Sequence, residues 1–558
     1  MNYFIQNMTN HLITKITVII LSIVMVSCSD WLGEPQPGKS GLNDYFIAGG
    51  GAVAIQATNA VYVPLQWEFG QNYCCEWFIG DVASDDALKG GQNTSDIPAA
   101  YEIDNFKISS NNALLLDWYQ LNFHGVARAN FVLEQIPLIE IDATMDESVK
   151  NRLLGEAYFL RALYYFRLVR VFEEIPLVTE VISGSEKWKQ PKATVEVIYT
   201  QIFSDLETAN QKLWTVDRLP DSDIGRATKG AAQAMLLKTH LYYAQFDNSH
   251  YATAKQWGDS IIESGKYELE AKYADNFSID NENGKESVFE VQYGEEATSD
   301  YGDFGSLPHF GATRGTFTTV LTRSRSTEFP SSLLGGVAEG WGFNKPTEDL
   351  HKEFEQGDLR REVSILNLDT GLMTNTNEEF YLGTPYLSRK YALMDSNDVA
   401  VWKAHNTRSP INIKLIRYAD ALLMYAEAAN ESGDFAMAKA TLNQLRRVRR
   451  AETTDPATQL PDFPNYVNRK TGINFTDDHA GLREAIRHER RVELAMESHR
   501  WFDLVRWGIA VETMNEYREN ETSEVQKEMA IFEEKNNYFP LPQYEIDLSG
   551  FEQNGKWK

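Results

Sequence analysis

The stretch Ile486-Arg-His-Glu-Arg-Arg-Val-Glu-Leu-Ala-Met-Glu-Ser-His-Arg500-Trp-Phe-Asp-Leu-Val-Arg506-Trp507 decides how this chain is read. Wound as a helix from position 480, it puts Leu482, Ala485, Ile486, Val492 and Met496 on one apolar face. Glu489, Glu493 and Arg500 fall on that same face. A charge on a core face needs a partner, because burying it unpaired is strongly unfavourable. The helix expected over 148–172 repeats the pattern: Leu154, Ala157, Tyr158, Tyr165, Leu168 and Phe172 form its stripe, with Arg161 at the centre. Two readings follow. Glu489 and Glu493 could build a catalytic site, or the charges could form a buried ion-pair network in which Arg161 joins Glu427, Glu489 or Glu493 across packed helices. The network is favoured, since structural networks also produce such patterns.

Helical periodicity extends outward from this stretch over roughly 113–136, 148–172, 194–213, 228–246, 251–264, 415–431, 434–450 and 480–507. The fold class is therefore mainly α, with a helical scaffold over about 113–265 and 413–510. Between about 270 and 412 the periodicity breaks into an irregular insertion, where Val288-Phe-Glu-Val291 suggests a short strand and Pro308, Pro330, Pro346 and Pro385 punctuate loops. Two helix pairs resemble each other: Ala234-Met-Leu-Leu leading to Tyr251-Ala-Thr-Ala-Lys255, and Ala421-Leu-Leu-Met leading to Phe435-Ala-Met-Ala-Lys439. Alanines where two helices must approach closely resemble tetratricopeptide (TPR) packing, although the two copies are not in tandem.

The N-terminus reads as an export signal. Ile16–Val26 is uncharged, follows Lys15, and is too short to span a bilayer. It runs into Ser27-Cys28, which resembles a lipobox, so residues 1–27 are expected to be a lipoprotein signal peptide and Cys28 the lipidated residue. Residues 28–42, with two prolines and three glycines, read as a tether, and 43–558 as the folded body.

Composition removes other classes. The 558 residues carry 53 Lys+Arg against 80 Asp+Glu, a net charge of −27, so the surface repels phosphate backbones and nucleic acid is not an expected partner. Three cysteines cannot build a disulfide scaffold; adjacent Cys74 and Cys75 could close a vicinal disulfide or remain thiols. His488-Glu489 begins like a zinc helix, but Val492 stands where the second histidine would be. No phosphate loop or nucleophile elbow occurs, and neither a catalytic residue nor a metal or cofactor is assigned.

Four segments then carry a family resemblance. Glu156-Ala-Tyr-Phe-Leu-Arg161-Ala-Leu-Tyr-Tyr-Phe with Phe172-Glu-Glu-Ile-Pro176, Ile416-Arg-Tyr-Ala-Asp-Ala-Leu-Leu-Met-Tyr-Ala-Glu427, the 486–507 stretch, and the tail Tyr538-Phe-Pro-Leu-Pro542 resemble the SusD/RagB family in order. The resemblance implies a scaffold of four non-contiguous TPR-type helix pairs with a loop-rich ligand region. It also implies a cell-surface lipoprotein of the outer membrane that binds oligosaccharides and passes them to a SusC-like TonB-dependent transporter. A peptide-capturing lid of the same fold is the alternative, and a surface glycoside hydrolase using Asp85 and Asp86 a weaker one.

Aromatics make up 12% of the chain, and sugar rings pack their C–H faces on Trp or Tyr. Two non-helical stretches offer platforms: 73–93, with Tyr73, Trp77, Asp86, Lys89 and Asn93, and 301–341, with Tyr301 and Trp341. Trp118, Trp214, Trp257 and Trp501 are read within helices and are assigned to packing.

Overall fold

Asn112 opens the helical scaffold: its side chain accepts from the Leu115 amide at 3.1 Å, satisfying a donor the helix itself cannot. Asp146, Thr194, Thr228, Asp434 and Asp478 cap further helices in the same way. The computed structural model describes residues 46–70, 72–183, 189–294, 315–325, 340–367, 384–393, 408–521 and 528–558. Its longer helices are α1 (Gly50–Tyr62), α2 (Ala113–Gln135), α3 (Glu147–Phe172), α4 (Val195–Lys212), α5 (Lys229–Tyr243) and α6 (His250–Glu263). After the insertion follow α7 (Tyr418–Glu431), α8 (Phe435–Ala451), α9 (His479–Glu493), α10 (Arg500–Arg506) and α11 (Ala510–Asn520).

Each helix from α2 to α7 packs on the next, and α7 then takes both α8 and α9. This is the mainly helical scaffold expected from periodicity, with the antiparallel helix pairing that the family resemblance implies. Close approach needs small residues: a Cβ on Gly125 of α2 would lie 2.3 Å from the Tyr164 ring of α3, and one on Gly258 of α6 2.3 Å from Tyr425 of α7. The second contact joins helices on either side of the insertion, so the scaffold closes over the chain that leaves it.

The insertion is tied at its neck. Strand β4 (Ser287–Val291) pairs antiparallel with β8 (Ile413–Arg417), Val291 opposite Ile413 and Ser287 opposite Arg417. Farther out, β1 (Ala87–Gly90) pairs with β5 (Phe343–Pro346), docking the insertion on the segment before α2. Two smaller pairs, β2 (Ile175–Pro176) with β3 (Lys192–Ala193) and β6 (Ile365–Asn367) with β7 (Tyr386–Ser388), complete the strands. Two-stranded ladders are marginal alone, so these depend on the helices beneath them.

The charged stripe is a buried network. Glu489 accepts from Arg360 Nη1 at 2.6 Å and from Arg446. Glu493 accepts from Arg360 at 2.9 Å, Arg449 at 2.8 Å and Arg417 at 3.1 Å. Arg360 belongs to the insertion's short helix Leu359–Ser364, so the network keys the insertion into α8 and α9. Arg161 does not join it. Its guanidinium meets Asp205 of α4 instead, Nε to Oδ2 at 2.8 Å and Nη2 to Oδ1 at 2.7 Å.

Other expectations shift locally. The helix read over 480–507 breaks after Glu493, because Met496 and Ser498 take left-handed φ of 62° and 67° before Arg500 starts α10. That turn lets the Ser498 amide donate to Asp81 and brings Glu497 to Arg417 and Lys390. Residues 415–417, read as the start of a helix, belong instead to strand β8. Helices α1 and α11 carried no expectation. Cys74 and Cys75 are free, buried thiols, pushed up by burial. Trp118 and Trp501 are fully buried, as assigned, while Trp214 and Trp257 are half-buried.

Candidate functional site

A turn around Gly70 brings Phe69 and Tyr73 into an antiparallel bridge, the Cys74 amide donating to the Glu68 carbonyl at 2.8 Å. The rings of Phe69 and Tyr73 lie 4.8 Å apart. Phe317, from the insertion, packs on Tyr73 at 5.2 Å, and Trp341 at 5.5 Å in an edge arrangement favourable to aromatic pairs. Phe317 is buried, whereas Phe69, Tyr73 and Trp341 are half-buried and present part of their surface to solvent.

Trp341 is held by its backbone. Its amide donates to the Val320 carbonyl at 2.8 Å, and its glycine neighbours donate to Ser324 and Arg323 at 2.8 and 2.7 Å. Gly340 is needed for that approach, since a Cβ there would stand 2.3 Å from that of Arg323; Gly342 takes a φ of +72°. Arg325 finishes the arrangement, its Nε donating to the Trp341 carbonyl at 2.9 Å and Nη2 to Asp96 at 2.7 Å. Asp96 closes the exposed loop carrying Gln92 and Asn93 by accepting from the Gln92 amide at 2.9 Å. Aromatic surface is thereby bordered by an amide-bearing loop, a guanidinium and a carboxylate.

Glu68 supports the cluster from below. Its buried carboxylate accepts from Thr316 Oγ1 at 2.8 Å, the Phe317 amide at 2.6 Å and Thr318 Oγ1 at 3.2 Å. Burial raises its pKa, and these neutral donors only partly oppose the rise. One carboxylate thus fixes the insertion's 316–318 segment to the turn that carries Phe69 and Tyr73.

The expected ligand residues divide here. Tyr73 and Trp341 come together, and Asn93 stands exposed on the neighbouring loop, its carbonyl accepting from Lys89 Nζ at 2.9 Å. Trp77, Asp86 and Lys89 are instead interior residues. The Trp77 indole donates to Thr318 at 3.3 Å. Asp86 accepts from Arg491 Nε at 2.8 Å, beside an Asp85–Arg500 pair at 2.7 and 2.8 Å. Lys89 is fully buried under the Phe343 ring, and burial lowers its pKa to about 8. Their run reads as an exposed polar loop only because its neutralising arginines lie some four hundred residues away. Tyr301 and Cys28 lie outside the described residues. Phe69, Phe317, Arg325 and Asp96 were not anticipated, although an aromatic on each side of Gly70 was a visible signal for Phe69.

Glu355, His488 and Glu489 have the spacing of a metal triad. Arg446 and Arg360 already neutralise the glutamates. Burial opposes the protonation of His488, but the hydrogen bond to Glu353 at 2.7 Å and the nearby carboxylate of Glu355 outweigh it and raise its pKa to about 9. A protonated imidazole beside paired carboxylates is not a ligand set.

Comparison with known proteins agrees with this architecture. A model of the SusD family matches residues 366–557, and a model described as starch-binding associating with outer membrane matches residues 66–241. SusD-like protein P2 of Formosa agariphila is 27% identical over 512 residues, covering 88% of this chain and 90% of that protein. Among solved structures, a laminarin-binding SusD-like protein is 28% identical with a TM-score of 0.71, over 90% of this chain and 99% of the other. Surface glycan-binding protein A from Bacteroides fluxus is 26% identical with the same TM-score and the same coverage.

Proposed function

We propose that this chain, which belongs to the SusD-like family, binds glycans on the surface formed by Phe69, Tyr73 and Trp341 and delivers them to a SusC-like, TonB-dependent outer-membrane transporter. The observation that carries this reading is the half-exposed aromatic cluster bordered by Asn93, Arg325 and Asp96. Aromatic faces suit the apolar side of a pyranose, and the amides and charges beside them suit its hydroxyls. Tyr301, from the 301–341 stretch, is a further proposed ligand contact on sequence grounds. The described relatives bind laminarin or other glycans by name, which supports the ligand class.

The protein acts as a binder rather than a hydrolase. Asp85 and Asp86, the carboxylates a glycosidase reading would use, are consumed by Arg491 and Arg500 in the interior. It reaches the cell surface through the signal peptide 1–27, the lipidated Cys28 and the tether 28–42. Among the described residues no helix is long and apolar enough to cross a membrane.

Titration calorimetry of the chain with laminarin oligosaccharides, starch oligosaccharides and mixed peptides tests the proposal. Heat of binding from either sugar series supports it. Binding of peptides alone would favour the peptide-capturing role, and release of reducing ends would make the protein an enzyme.

A further inference from the structure

Between the scaffold and the insertion lies an internal cavity of about 60 Å³. Its basic wall comprises Arg167 and Arg170 of α3, Lys238 of α5 and Lys414 of β8, against the carboxylates Glu76 and Glu497. Both carboxylates are already engaged: Glu497 by Arg417 and Lys390, Glu76 by Arg170. Arg167 is left short. Only 6% of it is exposed, and its Nε and Nη1 find no acceptor among the described residues. Its contact to Glu76, from Nη2, spans 3.4 Å, longer than a good hydrogen bond.

A neighbouring donor shares the deficit. Arg170 Nε, buried on a residue of the same wall, also finds no partner among the described residues, and neither does His499 Nδ1, which donates or accepts according to the tautomer of the neutral ring. Stacking of the Arg167 guanidinium 4.2 Å over Trp118 fixes its plane but accepts none of its protons. A buried donor without an acceptor is costly, and a buried cation more so. Lys238 and Lys414 are neutralised by Asp420 at 3.2 Å and Glu290 at 3.0 Å, so the uncompensated charge of the wall rests on Arg167, whose pKa burial depresses.

We propose that this cavity binds a small inorganic monoanion of the chloride class, accepting from Arg167 Nε and Nη1 at the junction of scaffold and insertion. Water could meet the donors but would leave the excess charge. Two carboxylates already in the wall disfavour a dianion. The lining crosses from α3 and α5 to Thr318 and Asn344, so the anion fastens the insertion, and with it the Phe317–Trp341 surface, to the helices.

Thermal melts of the whole chain, with chloride exchanged for gluconate at constant ionic strength, test this. Raising chloride from far below to about a hundredfold above its dissociation constant should raise Tm by roughly 2–3 °C. Arg167→Met should abolish the response. A wild-type Tm indifferent to chloride, or one raised by sulfate and not by chloride, overturns the assignment. Should Arg167→Met not fold, wild-type crystals grown in bromide decide: an anomalous peak against Arg167 sustains the site, and a cavity holding only water refutes it.

Discussion

Arg161 of α3 and Asp205 of α4 meet in a two-point pair, Nε to Oδ2 at 2.8 Å and Nη2 to Oδ1 at 2.7 Å, with both side chains buried. Asn130 Oδ1 and the Thr179 carbonyl take the guanidinium's remaining face at 2.9 and 3.2 Å. Every group in this cluster has its partner, so the penalty falls on whatever is left when one is removed. Arg161→Ala strands Asp205 and should cost about 3–5 kcal/mol of stability, read by denaturant unfolding. Affinity for glycan per folded molecule should stay unchanged, because the pair lies away from the aromatic surface. A variant that kept its stability and lost its ligand would contradict this assignment.

The same pair shows what the sequence can disclose. Helices α2 to α9 are legible because each carries apolar residues at helical spacing and all but α6 and α7 also have a capping side chain, both local signals. Which acid meets Arg161 is not local. Asp205 sits on the buried face of α4 with Ile198, Ile202, Leu206 and Ala209, an oddity matching that of Arg161, but only packing brings the two together. Asp85 and Asp86 mislead for the same reason, since Arg491 and Arg500 reach them from the far end of the chain. The turn at 494–499 contains neither Gly nor Pro, so nothing in its composition announces the break between α9 and α10. Of the site, Tyr73 and Trp341 were visible as aromatics beside glycines or loops, whereas Phe317 and Arg325 join through an insertion path no periodicity encodes.

Stability should fall toward alkaline pH through His488. Burial works against its charge, but Glu353 at 2.7 Å and Glu355 outweigh that and hold its pKa at about 9, above the ordinary 6.5. The folded protein therefore binds this proton more tightly than the unfolded chain does. The contribution is fully present below pH 6.5 and is lost as pH rises through 9. At about 1.4 kcal/mol per unit, the pH-dependent gap between wild type and His488→Gln should shrink by on the order of 3 kcal/mol across that window. Subtracting the variant removes Asp81, raised to about 8 by burial, and His499, lowered to about 4 by burial, which titrate in both proteins. A gap that stays constant from neutral to alkaline pH would mean that His488 is neutral when folded.

Membrane attachment should depend on one thiol. Ile16–Val26 is removed with the signal peptide in the proposed maturation, leaving acyl chains on Cys28 as the apolar anchor. Cys28→Ala should leave a folded protein that moves from the membrane to the soluble fraction. The fractionation is best done in cells lacking the transporter, after a high-salt wash. Retention of the variant in the membrane under those conditions would refute the lipoprotein assignment.

The glycan surface makes the most direct prediction. Trp341 is anchored by backbone hydrogen bonds to Val320 and by Arg325 on its carbonyl, so its main chain does not rely on the indole for placement. The indole itself is half-buried, with the Tyr73 ring against it at 5.5 Å. Replacing it with Ala removes contact area from the ligand, and from the fold the edge contact to Tyr73 and a half-buried ring at the margin of the core. Trp341→Ala should therefore weaken oligosaccharide binding by about 1–3 kcal/mol, the loss expected when an aromatic anchor is truncated, with a small change in Tm. Tyr73 shares more of its ring with Phe69 and Phe317, so Tyr73→Ala should reduce affinity and melting point together. Calorimetry and a thermal melt on each variant separate the two effects. If Trp341→Ala lowers Tm by several degrees and leaves affinity per folded molecule intact, the indole is a plug between the insertion and the turn at Gly70, and the sugar binds elsewhere.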